Sequence, residues 1–430
     1  MKKIIGIGII SMMLISSIAM AQEGRIQVGN VRVIPAFGIS ATYDDNIFLG
    51  NDQKNDPANG KKAIEFDTIT HVKPGLGFEF SFAERGALKA GYEGDWAFYS
   101  DKTKNNWKNQ KYLVDFNYNA PGGLIAALNN TYTHGEDPLG SREQYNVGRV
   151  TKRWVDELKG KVGYQGGDVF RVLTYYNFYK QKYKLTEDNG QNYTNNEFGL
   201  GGEMGVLPKT WAFLRYFYGF QTFTDATTVN RNNKTITVDN NNNADNKYHR
   251  ISTGLNWDSG GKLGGEVSFG YQMLKYNNEY LDKTDVKTKY EDKNTWVAAT
   301  SVNYSATETT NLTFNLSRAL RLSGSDSNDY FSDTMIGANI SQQLLGKVSL
   351  ASGLSYSRND YRLNNPNSPT IAARNEARSD DNYNFNLGVD YNIQPWLKTG
   401  IAYSYKQKNS NYTENEYKDN QIQLLVNAMY

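Results

Sequence analysis

The sequence predicts an all-β chain, a transmembrane up-and-down antiparallel β-barrel of about eighteen strands behind a cleaved signal peptide. Three observations carry that expectation. Apolar and polar residues alternate with a period of two from one end of the chain to the other, and helix-period patterns are almost absent. The connections between alternating segments are by turns short and long. Tyr 31, Phe 19 and Trp 7 stand beside Gly 39 and only Pro 9, a balance that suits a large tyrosine-rich β protein better than a soluble α/β enzyme.

Residues 1–21 come first. Lys2 and Lys3 precede an apolar run from Ile4 to Ile18, and Ala19-Met20-Ala21 closes it with an A-x-A pattern. The run is shorter than the ~20 residues a bilayer-spanning helix needs. Residues 1–21 are therefore expected to be a signal peptide, and residues 22–430 a single outer-membrane barrel domain. The chain has no Cys, which excludes a disulfide framework, a cysteine-ligated metal and a lipid-anchored lipoprotein. Charge is nearly balanced: with Lys2 and Lys3 removed, the 47 basic residues become equal in number to the 45 acidic ones. That argues against a nucleic-acid partner held by bulk charge.

The strands follow from the alternation. Tyr383, Phe385, Leu387, Val389 and Tyr391 interleave with Asn382, Asn384, Asn386, Gly388 and Asp390. Val267, Phe269, Tyr271 and Met273 alternate with Glu266, Ser268, Gly270 and Gln272, and Leu312, Phe314 and Leu316 with Asn311, Thr313 and Asn315. One face is apolar and the other wet. Short turns are expected at 83–85, 120–122, 165–167, 207–209, 258–261, 306–309, 343–345 and 393–395. Longer polar loops are expected at 43–62, 100–106, 134–142, 185–192, 224–246, 277–291, 323–328, 364–379 and 408–413. The Asn-rich segment 224–246 has little to bury and reads as a solvated external loop. Residues 144–164 make one overlong segment, read as holding a β-bulge or a periplasmic extension. An open sheet in lipid would leave unpaired backbone groups at each edge, each costing several kcal/mol, so the strands must close into a ring. Low mean hydropathy, −0.66, agrees, because a lumen-facing polar residue follows each lipid-facing one.

Trp96, Phe98, Tyr99, Trp211, Trp257, Trp296, Tyr304, Tyr391, Trp396 and Tyr430 cluster where strands meet connections, as interfacial girdles do. Ile422, Leu424, Val426, Ala428 and Tyr430 alternate up to the last residue and look like an outer-membrane assembly signal, closing with Tyr instead of the commoner Phe.

Near the first strand the sequence reads Gly38-Ile39-Ser40-Ala41-Thr42-Tyr43-Asp44-Asp45-Asn46-Ile47-Phe48. The element Tyr43, Asp44, Asp45, Asn46, Ile47, Phe48 resembles the opening of the second β-barrel porin family of outer-membrane proteins, and the likeness covers essentially the whole mature chain. The resemblance implies a large barrel in the bacterial outer membrane and, since many members look to be encoded beside exopolysaccharide or capsule export systems, a role in polymer export.

Three further groups of residues bear on chemistry. Asp44, Asp45 and Asn46, beside Asn51, Asp52, Asn55 and Asp56, offer oxygen ligands for a Ca²⁺ at the barrel rim. The plainer reading, a strand-ending turn in which Asp and Asn bond their own backbone, is favoured because no EF-hand spacing is present. Of the three histidines, parity puts His71 in the lumen and His134 in a loop. His249, on the lipid side near Ser252, gives the weak case for a hydrolase. No G-x-S-x-G, H-E-x-x-H or phosphate loop is present. Parity assigns a lumen set of mixed sign: Arg32, Glu65, Asp67, Lys73, Glu93, Asp95, Arg171, Glu197, Glu203, Arg215, Arg250, Glu266 and Asp390. Such charges can set a transverse field or pair into a wall. Tyr99, Tyr175, Tyr179 and Tyr248 are further lumen candidates, suited to stacking on sugar rings, and Gly199, Gly201, Gly202 and Gly205 suit lumen-side or bulge positions.

The expectation is thus a channel and not an enzyme, with no cofactor or metal. It would assist exopolysaccharide export, with a general or solute-selective diffusion porin as the alternative and an outer-membrane hydrolase behind both. The partners expected are outer-membrane lipid, the barrel assembly machinery, a polysaccharide and periplasmic export components.

Overall fold

The computed structural model describes residues 26–52, 63–82, 85–138, 150–185, 191–223, 227–231, 234–238, 245–258, 260–277, 279–281, 287–289, 292–322, 330–361 and 377–430. The expected signal peptide, residues 1–21, lies outside them. In chain order the strands are β1 (Ile26–Val28), β2 (Val31–Asp44), β3 (Asp67–Phe82), β4 (Gly86–Tyr99), β5 (Trp107–Asn119), β6 (Leu124–Asp137), β7 (Thr151–Gly166), β8 (Phe170–Tyr183), β9 (Tyr193–Leu207), β10 (Thr210–Phe223), β11 (Thr227–Arg231), β12 (Lys234–Val238), β13 (Asn246–Trp257), β14 (Leu263–Tyr276), β15 (Glu279–Leu281), β16 (Lys287–Lys289), β17 (Lys293–Ser305), β18 (Thr310–Leu322), β19 (Tyr330–Leu344), β20 (Val348–Tyr361), β21 (Ser379–Gln394), β22 (Leu397–Ser410) and β23 (Tyr417–Met429).

Eighteen of these strands form one closed antiparallel ring, each hydrogen-bonded to its neighbours in sequence. β23 returns to β2 in register from Ala36 opposite Met429 to Asp44 opposite Gln421. Closure satisfies the backbone groups that an open edge would expose to lipid. The short β1 only folds back on β2, while β11–β12 and β15–β16 are hairpins in two of the long connections. No helix is long and apolar enough to cross a membrane among the described residues, and the strands do the crossing.

Register carries one face continuously round the barrel. Asp44 faces Asp67, Glu93 faces Lys111, Lys111 faces Thr133, Asn177 faces Glu197, Glu197 faces Gly219 and Gly219 faces Tyr248. Inward residues therefore stay inward through every pairing, and the ring closes in phase. The outward set is apolar and exposed: Tyr383, Leu387, Val389 and Tyr391 on β21, and Ile422, Leu424 and Val426 on β23, continuing to Tyr430. Many of the buried side chains are polar or charged, the inverse of a soluble core.

The structure moves several sequence-based boundaries. β6 runs to Asp137, so His134 lies within a strand, stacked on Trp154 of β7 at 5.3 Å between ring centroids. The predicted external loop 224–246 contains the β11–β12 hairpin, where the β-branched Thr227, Thr228, Val229, Thr235, Ile236, Thr237 and Val238 favour extended backbone over the solvated coil read from the Asn content. β7 pairs with unbroken register from Thr151 to Tyr164, so it holds no bulge there. Residues 144–149 lie outside the described residues. Tyr99 and Trp211 face inward and are buried, so neither belongs to a girdle, whereas Trp296, Tyr304, Tyr391, Trp396 and Tyr430 are exposed on the outside. One turn requires the backbone freedom of glycine: Gly123 has φ of 92°, and a Cβ there would lie 2.3 Å from the Gln165 carbonyl oxygen.

Candidate functional site: the interior wall

The interior is where side chains of different strands meet, and its two most distinct stretches are unlike. From β8 to β14 the wall is bulky and ionic. At the short-turn end, the Arg171 guanidinium donates to both carboxylate oxygens of Asp258, at 3.0 and 2.7 Å, and lies 3.7 Å from the Trp211 ring centre. Trp211 Nε1 donates to the same Asp258, at 2.8 Å. Burial opposes the charge on Asp258, but the hydrogen bonds from Arg171 and Trp211, with the Arg171 charge, outweigh it and hold the carboxyl below its ordinary 3.8.

Further along, Arg215 donates to Glu203 and Glu266, both at 2.8 Å, with its guanidinium 3.8 Å from the Phe213 ring centre. Glu203 also lies 3.5 Å from Arg171, linking the two arginines. Next, Glu197 is completely buried: it accepts from Asn177 at 2.8 Å, from the Tyr248 hydroxyl at 3.0 Å and from Arg250 at 3.0 Å. Arg250 in turn sits over Phe217. Each arginine thus lies on an aromatic face and against a carboxylate, a geometry that suits a planar, weakly hydrated cation. Glycines make the room. A Cβ on Gly219 would lie 2.2 Å from the Tyr248 ring, and one on Gly199 2.4 Å from the Phe217 ring. Gly201 and Gly205 also face inward, whereas Gly202 points outward.

From β18 to β22 the inward positions are short and mostly neutral. They include Asn315 and Ser317 on β18, Gly337 and Asn339 on β19, Gly353 and Ser355 on β20, Asn386 and Gly388 on β21, and Gly400 and Ala402 on β22. Charge appears at its ends: Lys398 donates to Asp390 at 3.0 Å near the short turns, and Lys406 donates to Asp419 of β23 at 3.1 Å near the loops.

The remaining lumen candidates lie on β2 to β4 or just before them. Arg32 pairs with Glu79 at 3.6 Å, and Glu93 with Lys111 at 3.4 Å. Asp95 holds His71 Nδ1 at 2.8 Å, Glu65 pairs with Lys102, and Lys73 faces inward opposite Gly38. The Glu65 hydrogen bond and charge raise the Lys102 pKa. Asp67 is a cap: it accepts from the backbone N–H of Thr68 at 2.7 Å and of Lys102 at 2.8 Å.

The Tyr43–Phe48 element closes the barrel seam at the loop end. Asp45 accepts from the backbone and side-chain amides of Asn420, both at 2.7 Å. Asn46 exchanges hydrogen bonds with Gly50 N and O and donates to the Lys418 carbonyl at 2.7 Å. Asp44 accepts from Asn46 N and Gln421, both at 2.8 Å. Ile47 packs with Ile69, Ala97 and Tyr99, flanked by Phe48 and Trp107, while Tyr43 points outward. Asp44, Asp45 and Asp419 bring carboxylate oxygens within 4.8 Å of one another. Asp44 accepts within the strand-ending turn, from Asn46 N, and Asp45 and Asp44 accept from Asn420 and Gln421 of β23, while Asp419 of β23 accepts from Lys406 and Gln421, both at 3.1 Å. Asn55 and Asp56 lie outside the described residues.

Tyr99 and Tyr248 are packed into the wall and present no free face for a sugar ring; Tyr175 and Tyr179 remain half-buried. His249 points outward and bonds the Tyr216 hydroxyl at 2.7 Å, whereas Ser252 points inward. The two lie on opposite faces of one strand, so they form no nucleophile–base pair. The inward ion pair of Arg153 with Asp137, at 2.8 Å, and that of Arg321 with Asp333 were missed in the sequence, although the same parity rule reaches them.

A closed barrel with an apolar outside and a polar inside defines a porin-like protein of the bacterial outer membrane. The family model described as "putative β-barrel porin 2" matches residues 21–430, and the chain belongs to that family. No curated protein matches. Among solved structures, the chain is similar to OpdL of Pseudomonas aeruginosa, with 8% identity, 94% of this chain and 99% of that one covered, and a TM-score of 0.44. It is also similar to the FrpB iron transporter of Neisseria meningitidis, with 10% identity, 87% of this chain covered and a TM-score of 0.43, and spans 63% of that chain's length. A structure described as a bacterial polysaccharide outer membrane secretin shares 8% identity over 94% of this chain and all of its own, with a TM-score of 0.35.

Proposed function

We propose that the protein is a non-catalytic conduit that assists export or secretion of an exopolysaccharide across the outer membrane. The observation that carries the reading is the stretch from β18 to β22, where Asn and Ser offer donors and acceptors for hydroxyl groups and Gly and Ala keep the surface low. A polymer of many hydroxyls slides best along a wall that bonds weakly everywhere and strongly nowhere, because tight single sites would hold it. The wall from β8 to β14 supports the same reading, since its arginines are spent on its own carboxylates and aromatic rings. In this reading periplasmic export components meet the short-turn end, and Ile422 to Tyr430 present the assembly signal.

Deleting the gene should reduce secreted polymer while leaving its synthesis intact, and full secretion in the deletion strain would defeat the proposal. A diffusion porin is the second reading, favoured by the same low wall. It predicts steady conductance in planar bilayers that small sugars do not block, whereas a polymer conduit should show interruptions when oligosaccharide is added on the periplasmic side.

A further inference from the structure

We infer that the outer face of β8, at the loop end, binds the phosphate-bearing headgroup of a lipid in the outer leaflet. The outward residues of β8, read from the short turn upward, are Phe170, Val172, Thr174, Tyr176, Phe178, Lys180 and Lys182, and Lys184 follows just beyond the strand. The change from apolar to cationic is abrupt. At ~3.4 Å per residue, Lys180 lies about 34 Å along the strand from Phe170, and a tilt of ~40° makes that about 26 Å of height. The apolar band of an outer-membrane barrel is about 25 Å tall, so the first lysine falls at its upper edge and the next two stand above it.

All three ammonium groups are exposed, and none has an ion-pair partner among the described residues. Among the described residues, the neighbouring outward acids accept hydrogen bonds from other groups. Glu136 of β6 accepts from Lys152 at 2.7 Å and from the Lys108 backbone at 2.9 Å, and Asp156, opposite Lys180, accepts from Asn130 at 2.8 Å. Lys182 lies in register with Trp154, whose ring is stacked on His134, an aromatic platform at the same level. The cation stripe does not stand alone: on β13 and β14, Lys247 and Lys275 face each other directly, both exposed, where like charges repel unless an anion lies between them. Three like charges spaced ~7 Å apart along the end of one strand and just past it, at headgroup height, ask for an anionic surface, and the outer leaflet is the surface that lies there.

The test uses the full-length folded protein in detergent micelles, titrated with diphosphorylated lipid A and with the same lipid stripped of phosphate, bound lipid being read by native mass spectrometry. The diphosphorylated lipid should bind and the stripped lipid should bind at least about tenfold more weakly. K180Q/K182Q/K184Q should weaken binding of the diphosphorylated lipid roughly a hundredfold, and K418Q, a lone outward lysine on β23, should leave it unchanged. K182Q and K184Q alone, each expected to cost about fivefold, carry the test should the triple variant not fold. Equal binding by wild type and lysine variants overturns the inference, as does equal binding of the two lipids. Displacement by equimolar inorganic phosphate also overturns it, since the site would then serve a soluble anion.

Discussion

The interior from β8 to β14 and the interior from β18 to β22 are built of antiparallel strands of similar length in one ring, yet one is filled by Arg, Glu and aromatic rings and the other by Gly, Ala, Ser and Asn. A barrel holds itself together through backbone pairing and its lipid-facing residues, so inward positions are released from the task of making a core. They are then free to be large or small as the lumen requires. Where they are large they become interdependent: Glu197 touches Asn177, Tyr248 and Arg250, and Glu203 joins Arg215 to Arg171. Where they are small they are nearly independent.

That contrast is most exposed to test at Glu197. Glu197→Ala should leave Arg250 without its carboxylate in a buried setting and destabilise the barrel by about 3–5 kcal/mol in urea titrations followed by electrophoretic mobility. Asn386→Ala on the low wall should change stability by less than about 0.5 kcal/mol. Equal losses would erase the distinction. At the seam, Asn46→Ala removes bonds to Gly50 and Lys418 and should cost about 2 kcal/mol, more than any single change on the low wall.

Asp258 gives a pH signature to the bulky wall. Its carboxyl titrates lower in the folded protein, so its contribution is fully present above the ordinary aspartate value of 3.8 and disappears as pH falls through the lower folded value. Wild type should therefore exceed Asp258→Asn by about 1 kcal/mol near neutrality, a modest figure because the group is partly exposed, and the two should converge as pH falls through the lowered folded value. A gap that persists in acid would mean that the contribution of Asp258 does not come from its charge. The smallest effect on stability is expected at Gly388, where a Cβ would meet nothing closer than 3.9 Å. Gly388→Tyr should fold normally and lower single-channel conductance on the order of twofold, whereas Tyr175→Ala should raise it slightly. Unchanged conductance in Gly388→Tyr would move the passage away from the low wall.

Much of the fold was legible because parity is a local property. Arg215 and Glu203 could be placed inward, and Leu424 and Val426 outward, from immediate neighbours alone. The same rule failed where two signals competed. Tyr99 and Trp211 lie at strand ends, where aromatic girdles are expected, yet their own parity turns them inward. His134 was read as the start of the polar loop 134–142, while its pairing with β7 keeps it extended. The β11–β12 hairpin was hidden by asparagines. In the candidate site, the facing direction of each charge was readable and its partner was not.

The sequence by itself determined that strands alternate, that one face is apolar and the other wet, and that the ring must close. Only the tertiary structure decided that Arg171 meets Asp258, 87 positions away, and that Asp45 meets Asn420, 375 away. Alternation needs nothing beyond the next residue, whereas each of those meetings depends on the register of every strand pair between them and on the final pairing of β23 with β2.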